Sequence, residues 1–78
     1  MNLYPNPTQS TITIPLNGLV PNLRIEVLNM LGNRFYSMDV REKKESVNID
    51  VSELTIGLYM IKIHLSNGSA IMTKFFKE

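Results

Sequence analysis

The sequence predicts an all-β protein, a single antiparallel β-sandwich of about six to seven short strands. Apolar and polar residues alternate along nearly the whole chain, which is typical of strands that bury one face. Turn-forming residues separate the alternating runs at intervals of roughly ten residues. No segment shows the period of about 3.6 residues that a long amphipathic helix requires.

Five runs place apolar residues at every second position, and we expect these residues to face the core. They are Ile12, Ile14 and Leu16; Leu23, Ile25 and Val27; Tyr36, Met38 and Val40; Val47, Ile49 and Val51; and Tyr59, Ile61, Ile63 and Leu65. A sixth run, residues 69–76, is apolar on both alternating sets, which indicates either deeper burial or contact with a partner. Pro15 predicts that the first strand lies at a sheet edge or contains a bulge, because proline cannot donate a ladder hydrogen bond.

Three pairs or triplets supply the positive-φ positions that tight hairpins need. They are Asn17-Gly18, Leu31-Gly32-Asn33 and Asn67-Gly68, of which the last is the strongest hairpin signal. Pro21 is expected to close the loop over residues 19–22.

Two segments depart from the alternating pattern. In the opening LYPNP stretch, Pro5 and Pro7 fix their own φ angles and push the residues before them toward extended geometry. We expect a near-rigid extended arm there rather than a helix. The stretch DVSELTIG, residues 50–57, is predicted to form a single helical turn with Ser52 as its N-cap.

Composition limits the classes of function. The 78 residues suffice for one small domain, and the absence of cysteine removes disulfides as a source of stability. Eight basic and seven acidic residues give a net charge of +1, which argues against a nucleic-acid footprint. The mixed run REKKE, residues 41–45, is expected to be a solvated loop. No apolar run is long enough for a transmembrane helix, and no secretory signal peptide is visible.

The sequence predicts no enzyme. The single histidine, His64, falls on the polar set of its run with Met60 and Lys62, so we expect it to face solvent. A lone histidine has no triad geometry around it, and no serine lies in a Gly-x-Ser-x-Gly elbow. Paired carboxylates cannot be assigned, because most acidic residues belong to loops or exposed strand positions.

Cofactor and metal sites are not predicted either. The segment from Asn48 to Glu53 faintly resembles a calcium loop, but it lacks the glycine and the terminal bidentate glutamate of that pattern. Asn67-Gly68-Ser69 matches a glycosylation acceptor, although the Asn-Gly pair is already explained as a turn. No tryptophan provides a sugar-binding platform, and Tyr36 and Tyr59 are expected to face inward.

Four stretches, in this order, resemble a known family. They are LYPNPT (residues 3–8), VLNMLGNRFY (27–36), VSELTIGLYMIKI (51–63) and NGSAIMTKFFKE (67–78). The chain resembles the C-terminal sorting domain of the type IX secretion system of Bacteroidota, type A, also called the Por secretion system family. The resemblance covers essentially the whole chain.

The resemblance implies which residues the secretion machinery reads. The matched positions are Tyr4, Pro5, Asn6 and Pro7 in the opening motif; Leu31 and Gly32 in the central turn; Leu54, Gly57 and Tyr59 in the Gly-x-Tyr motif; and Thr73, Lys74 and Lys77 in the basic terminal strand. Two features depart from the family. The order Leu54-Thr55-Ile56-Gly57 lacks the proline that often precedes the glycine, and Phe75 and Phe76 make the last strand bulkier.

By this resemblance, residues 1–78 are the end of a larger secreted protein and carry no catalytic activity. The parent is expected to pass through the periplasm, cross the outer-membrane translocon, and reach the cell surface or the medium. A sortase-like peptidase is expected to remove the domain upstream of Tyr4. The expected partners are the translocon, the peptidase and the cargo domain, with self-association through the last strand left open.

The sequence is compatible with other classes of protein. An immunoglobulin-like structural or adhesion spacer would give the same sandwich pattern, and a small sugar-binding module is a third reading. The YPNP arm either marks the junction with a flexible linker or shields an edge strand from other chains. The two leading readings differ in position, because a sorting domain ends its parent protein and a spacer does not.

Overall fold

The computed structural model describes residues 3–16, 19 and 21–78. Its six strands are β1 (Thr11–Pro15), β2 (Leu23–Asn29), β3 (Arg34–Val40), β4 (Ser46–Asp50), β5 (Gly57–His64) and β6 (Ala70–Lys77). The predicted all-β sandwich is therefore confirmed. Within the described ranges there is no helix, and hence none long and apolar enough to span a membrane.

Two antiparallel sheets form the sandwich. The narrow sheet contains β1 and β4, and the wide sheet has the order β3-β2-β5-β6. Each sheet joins strands that are distant in sequence, since β1 pairs with β4 and β2 pairs with β5. β1 lies at an edge of the narrow sheet, which is one of the two alternatives that Pro15 predicts, and Pro15 pairs with Ser46 at the end of the ladder.

One core lies between the sheets and contains most of the residues that the alternation predicts. The buried apolar residues are Leu3, Ile12, Ile14, Leu16, Leu23, Ile25, Val27, Val40, Val47, Ile49, Val51, Tyr59, Ile61, Ile63 and Phe75. Leu65 is half-buried and packs against them. Every strand except β3 and β6 contributes at least two side chains, so the hydrophobic effect holds the two sheets face to face.

The prediction for β3 is only partly right. Val40 is buried and Met38 is half-buried, but Tyr36 is 42 % exposed. Tyr36 shares a sheet face with the buried Val27, its register partner. β3 is an edge strand of a four-stranded sheet that packs against only two strands, so its outer part is left uncovered. A β-bulge after Val27 further displaces the start of β3 from regular pairing.

The apolar run over residues 69–76 is not more deeply buried. In β6, Phe75 is buried, whereas Ala70, Met72, Lys74 and Phe76 are exposed. β6 is the other edge strand of the wide sheet, and one of its faces points away from the sandwich. Contact with a partner is the reading that stays open.

The predicted hairpins at residues 31–33 and 67–68 are confirmed, with Gly32 at φ 91° and Gly68 at φ 92°. At the first hairpin, the Asn29 side-chain oxygen accepts two backbone N–H groups, at 3.0 and 2.9 Å, which fixes the turn between β2 and β3. The Asn17-Gly18 turn lies outside the described residues, as does part of the loop over residues 19–22.

The predicted helical turn is absent. Residues 51–54 form a β-turn in which the Leu54 N–H donates to the Val51 carbonyl at 3.0 Å, and the chain then extends into β5. Ser52 is not an N-cap, because its N–H and hydroxyl both donate to the Asp50 carboxylate at 2.9 and 2.7 Å. These bonds hold the pKa of Asp50 below its ordinary value. An aspartate at a strand end competes well for such local donors, and a turn results.

The N-terminal arm, residues 3–8, is extended only near its ends. Leu3 is buried in the core, Tyr4 pairs antiparallel with β1, and Thr8 pairs parallel with the end of β6. Residues 5–7 bend between these two points, and the peptide bonds before both prolines are cis. The predicted continuous extension is therefore wrong in the middle, because the arm crosses from the narrow sheet to the wide one.

Candidate recognition site beside the last strand

The strand register brings the sequence motifs to one end of the wide sheet. The Gly-x-Tyr motif starts β5, where Gly57 is the register partner of Lys77 at the end of β6. The Leu31-Gly32 hairpin follows directly after Asn29, which pairs with Tyr59 of β5. The opening motif arrives at the same end through the arm. Asn6 of the opening motif and Phe76 of the last strand, 70 residues apart in sequence, are thus neighbours in the fold.

Asn6 attaches the arm to the free edge of β6. Its side-chain Nδ2 donates to the Lys74 carbonyl at 3.4 Å, and its Oδ1 accepts the Phe76 N–H at 3.0 Å. The side-chain amide thereby takes the place of a peptide group in a neighbouring strand. Thr8 continues the ladder with its backbone: its N–H donates to the Phe76 carbonyl at 3.0 Å, and its carbonyl accepts the Glu78 N–H at 2.8 Å.

The two ends of the arm are held more firmly than its middle. Thr8 is 1 % exposed, and its hydroxyl donates to the Thr11 carbonyl at 2.6 Å. Tyr4 exchanges two backbone hydrogen bonds with Thr13, at 3.1 and 2.7 Å. Residues 5–7 are exposed and are held through Asn6. The arm is therefore part of the sandwich and covers one end of the β6 edge.

The Tyr59 side chain is buried in the core and does not form part of the surface. It is 5 % exposed, and its ring stacks on Phe75 at 5.7 Å and meets the ring of Phe35 edge-on at 5.9 Å. Its hydroxyl donates to the Thr55 carbonyl at 2.7 Å. Immunoglobulin-like sandwiches use the same return bond from a tyrosine near a strand start to the backbone just upstream. The Gly-x-Tyr motif thus fixes the corner that leads into β5.

We expect Tyr59→Phe to lower the free energy of unfolding by about 1–2 kcal/mol, because a partly buried backbone carbonyl loses its donor. Tyr36→Phe is the matched control, since Tyr36 is 42 % exposed and none of the described hydrogen bonds involves its hydroxyl. Urea denaturation followed by circular dichroism measures both. Equal stability of the two variants would contradict the structural role of the Tyr59 hydroxyl.

The other motif residues divide into exposed and buried positions. Lys77 is 6 % exposed, and its Nζ donates to the Glu78 carbonyl at 2.9 Å, so it does not present a charge on the open surface. Leu54 packs against the core. Tyr4, Leu31 and Lys74 are exposed, Leu31 to 88 %. Pro5, Asn6, Pro7 and Gly32 are also exposed, whereas Thr73 and Gly57 are half-buried.

Next to these motifs lies a surface that motif matching does not single out. On the wide sheet, the face turned away from the core carries apolar side chains interspersed with lysines, and we name it the outer apolar face. It consists of Leu28, Leu58, Met60, Met72 and Phe76, with Lys62 and Lys74. Leu58, Met72 and Phe76 are 43 %, 61 % and 42 % exposed. The signal in the sequence is the double apolar pattern of residues 69–76.

The opposite half of the same sheet face is polar and pairs its charges internally. Arg24 lies 3.3 Å from Asp39, and Glu26 lies 3.1 Å from Arg34 and 2.5 Å from His64 Nε2. The hydrogen bond from His64, followed by that from Arg34, lowers the pKa of Glu26 against the opposing effect of burial. An open cavity of about 430 Å³ adjoins these groups. His64 is on the outer face, as expected, but it is 38 % exposed and bonded rather than free in solvent.

The ion-paired residues of this polar half do not form a catalytic triad or a metal-binding cluster. Among residues 3–16, 19 and 21–78, no group of three histidine, cysteine or acidic side chains is placed to hold a metal ion. The Asn48 side chain, a member of the calcium-like pattern, instead accepts a bond from the Thr13 hydroxyl at 2.7 Å.

The fold defines a small all-β sandwich domain whose motifs gather beside its last strand. The family model for the secretion system C-terminal sorting domain matches residues 2–78. The chain belongs to this family of C-terminal type IX secretion sorting signals. Membership implies interaction with the type IX machinery, attachment to a larger cargo polypeptide, and export to the cell surface or extracellular space. No curated protein and no solved structure matches the chain.

Proposed function

We propose that residues 1–78 end a larger secreted protein and direct it through the type IX outer-membrane translocon, without catalysis of their own. The observation that carries this proposal is the family match over residues 2–78. The strand register supports it, because the start of β5, the end of β6 and the Leu31-Gly32 hairpin lie at one end of the wide sheet, where the arm also pairs with β6.

The twelve motif residues contribute in two ways in this proposal. Tyr59, Lys77 and Leu54 act through the fold, since they are buried or packed against the core. Tyr4, Leu31 and the other exposed members contact the machinery directly. The edge of β6 is the main contact, because an extended partner segment can add to a strand edge through backbone hydrogen bonds and read the side chains beside it.

The later steps are also proposals. The parent crosses the periplasm, and a sortase-like peptidase then removes the domain so that the cargo is released or attached to the surface. Cleavage lies upstream of Tyr4, because Leu3 is buried and Tyr4 is paired with β1. A peptidase requires an accessible extended segment, which these two residues do not offer.

An export assay tests the proposed function. Residues 1–78 are fused to the C-terminus of a fluorescent passenger that carries an inner-membrane signal peptide, in a cell with the type IX machinery. We expect passenger in the medium or on the surface, and its retention in the periplasm of a translocon-deficient strain. The passenger without residues 1–78 is the control.

A stable, folded fusion that stays in the periplasm of the competent strain would contradict the sorting role. An immunoglobulin-like spacer with a structural or adhesive role would then be the better explanation. Release of the passenger in the translocon-deficient strain would equally contradict a type IX route.

A further inference from the structure

The free edge of β6 is divided into a covered part and an open part. Asn6 bonds to the outward-pointing Lys74 carbonyl and Phe76 N–H, and Thr8 bonds to the Phe76 carbonyl. Strand alternation directs the peptide groups of Ala70 and Met72 to the same edge. Within the described part of the chain, neither the arm nor any other segment bonds to Met72 there.

We propose that the arm is a displaceable cover and that an extended segment of another protein adds to β6 by starting at its open part and displacing Asn6. This proposal rests on the proposed sorting function and specifies how a partner reaches the last strand. The occupant is a protein segment in β-conformation, since the groups that the arm occupies are the N–H and C=O groups of a strand edge.

Displacement of Asn6 replaces its two hydrogen bonds with two equivalent ones. The arm supplies one donor and one acceptor from an exposed side chain, and an added strand supplies one donor and one acceptor from its backbone. The hydrogen bond that Asn6 donates is long, at 3.4 Å, so little interaction energy is lost when an added strand replaces it. Thr8 differs because it is 1 % exposed and makes three hydrogen bonds, through its N–H, its carbonyl and its hydroxyl. The added strand therefore ends before Thr8 and pairs along Ala70–Phe76.

The surroundings of the edge define the side chains of the partner. Lys74 and the neighbouring Lys62 put positive charge on the outer face, and Met72 puts an apolar side chain on the edge strand opposite Lys62. Glu26, on the same face, is already bonded to His64 and Arg34. A partner strand with an acidic residue beside Lys74 and an apolar residue beside Met72 complements this edge.

Amide hydrogen exchange of the 78-residue chain tests the cover. In Asn6→Ala, the Phe76 amide is expected to exchange about tenfold faster, because it loses its acceptor. The Glu78 amide is expected to keep its protection, since Thr8 still accepts it. Asn48→Ala is the matched control: it removes an exposed side-chain hydrogen bond in the narrow sheet and leaves Phe76 unchanged. An unchanged exchange rate of the Phe76 amide in Asn6→Ala would overturn the proposal that the arm covers this edge.

A synthetic peptide tests displacement itself. The probe is acetyl-Thr-Val-Glu-Val-Thr-Val-amide, titrated into the isotope-labelled chain while backbone amide shifts are recorded. We expect shifts confined to Ala70–Phe76 and the arm, and binding to Asn6→Ala about tenfold tighter than to the unaltered chain, since the competitor is removed. Equal affinities, or shifts away from β6, overturn the proposal.

A control without peptide distinguishes self-association from binding of another protein. Shifts that appear without peptide and grow with protein concentration identify a second copy as the occupant, which also overturns the proposal. The exchange and peptide measurements need no secretion machinery, so they can fail while the fusion is still exported. Conversely, a fusion that is not exported leaves the displaceable cover intact if both measurements succeed.

Discussion

Phe75→Ala is expected to lower the free energy of unfolding by about 3–5 kcal/mol, the usual range for removing a buried phenylalanine. Phe75 is 1 % exposed and stacks on Tyr59, so the truncated side chain leaves a cavity in the core. In a domain of this length the midpoint of thermal unfolding should fall by at least about 12 °C. Differential scanning calorimetry measures this shift directly.

The adjacent residue provides the control. Phe76→Ala removes the same side chain from a position that is 42 % exposed on the outer apolar face, and we expect a loss of about 1 kcal/mol or less. A similar loss for both variants would show that β6 does not alternate between a buried and an exposed face as described.

The second large effect concerns export rather than stability. Met72→Glu combined with Phe76→Glu places two carboxylates on the outer apolar face, where both native side chains are exposed. We expect export of the passenger fusion to fall at least about tenfold, since a partner strand that adds to β6 would lie beside these two positions and would have to desolvate both carboxylates. The thermal midpoint of the domain should change little, because neither side chain belongs to the core.

Ser46→Glu combined with Ser66→Glu adds the same charge at exposed positions outside the outer apolar face, and export should persist. Export that is unaffected by the first pair, or reduced equally by both pairs, would exclude the outer apolar face from recognition. Quantifying the passenger in the medium and in the periplasm distinguishes these outcomes.

Local sequence information was sufficient for most of the sandwich. Alternation in Ile12–Leu16 and Tyr59–Ile63 correctly assigned the buried face, because burial on one face of a strand has the same period whatever the strand pairs with. The prediction for Tyr36 failed because its exposure depends on the width of the opposite sheet, which no local pattern encodes. The Ser52 cap failed because Asp50, two residues earlier, competes for the same donors.

The resemblance supplied the candidate recognition residues, but it did not supply their arrangement in the fold. Motif resemblance grouped Tyr59 and Lys77 with Lys74, but only the fold separates the two buried side chains from the exposed one. The contacts of Asn6 with β6 span 68 and 70 residues, and no pattern in the opening motif identifies its distant partners. The outer apolar face likewise emerges only when the registers of β5 and β6 are known.

The pairing of the arm with the end of β6 links the parts of the domain that are synthesised first and last. Thr8 bonds to Phe76 and Glu78. Phe75 belongs to the same core as the buried residues of β1 and β4. A nascent chain that stops before Phe75 therefore lacks both this buried aromatic side chain and the part of β6 to which the arm bonds. The domain can therefore fold completely only after the last strand has been translated. A protein truncated before this point has no intact sorting domain.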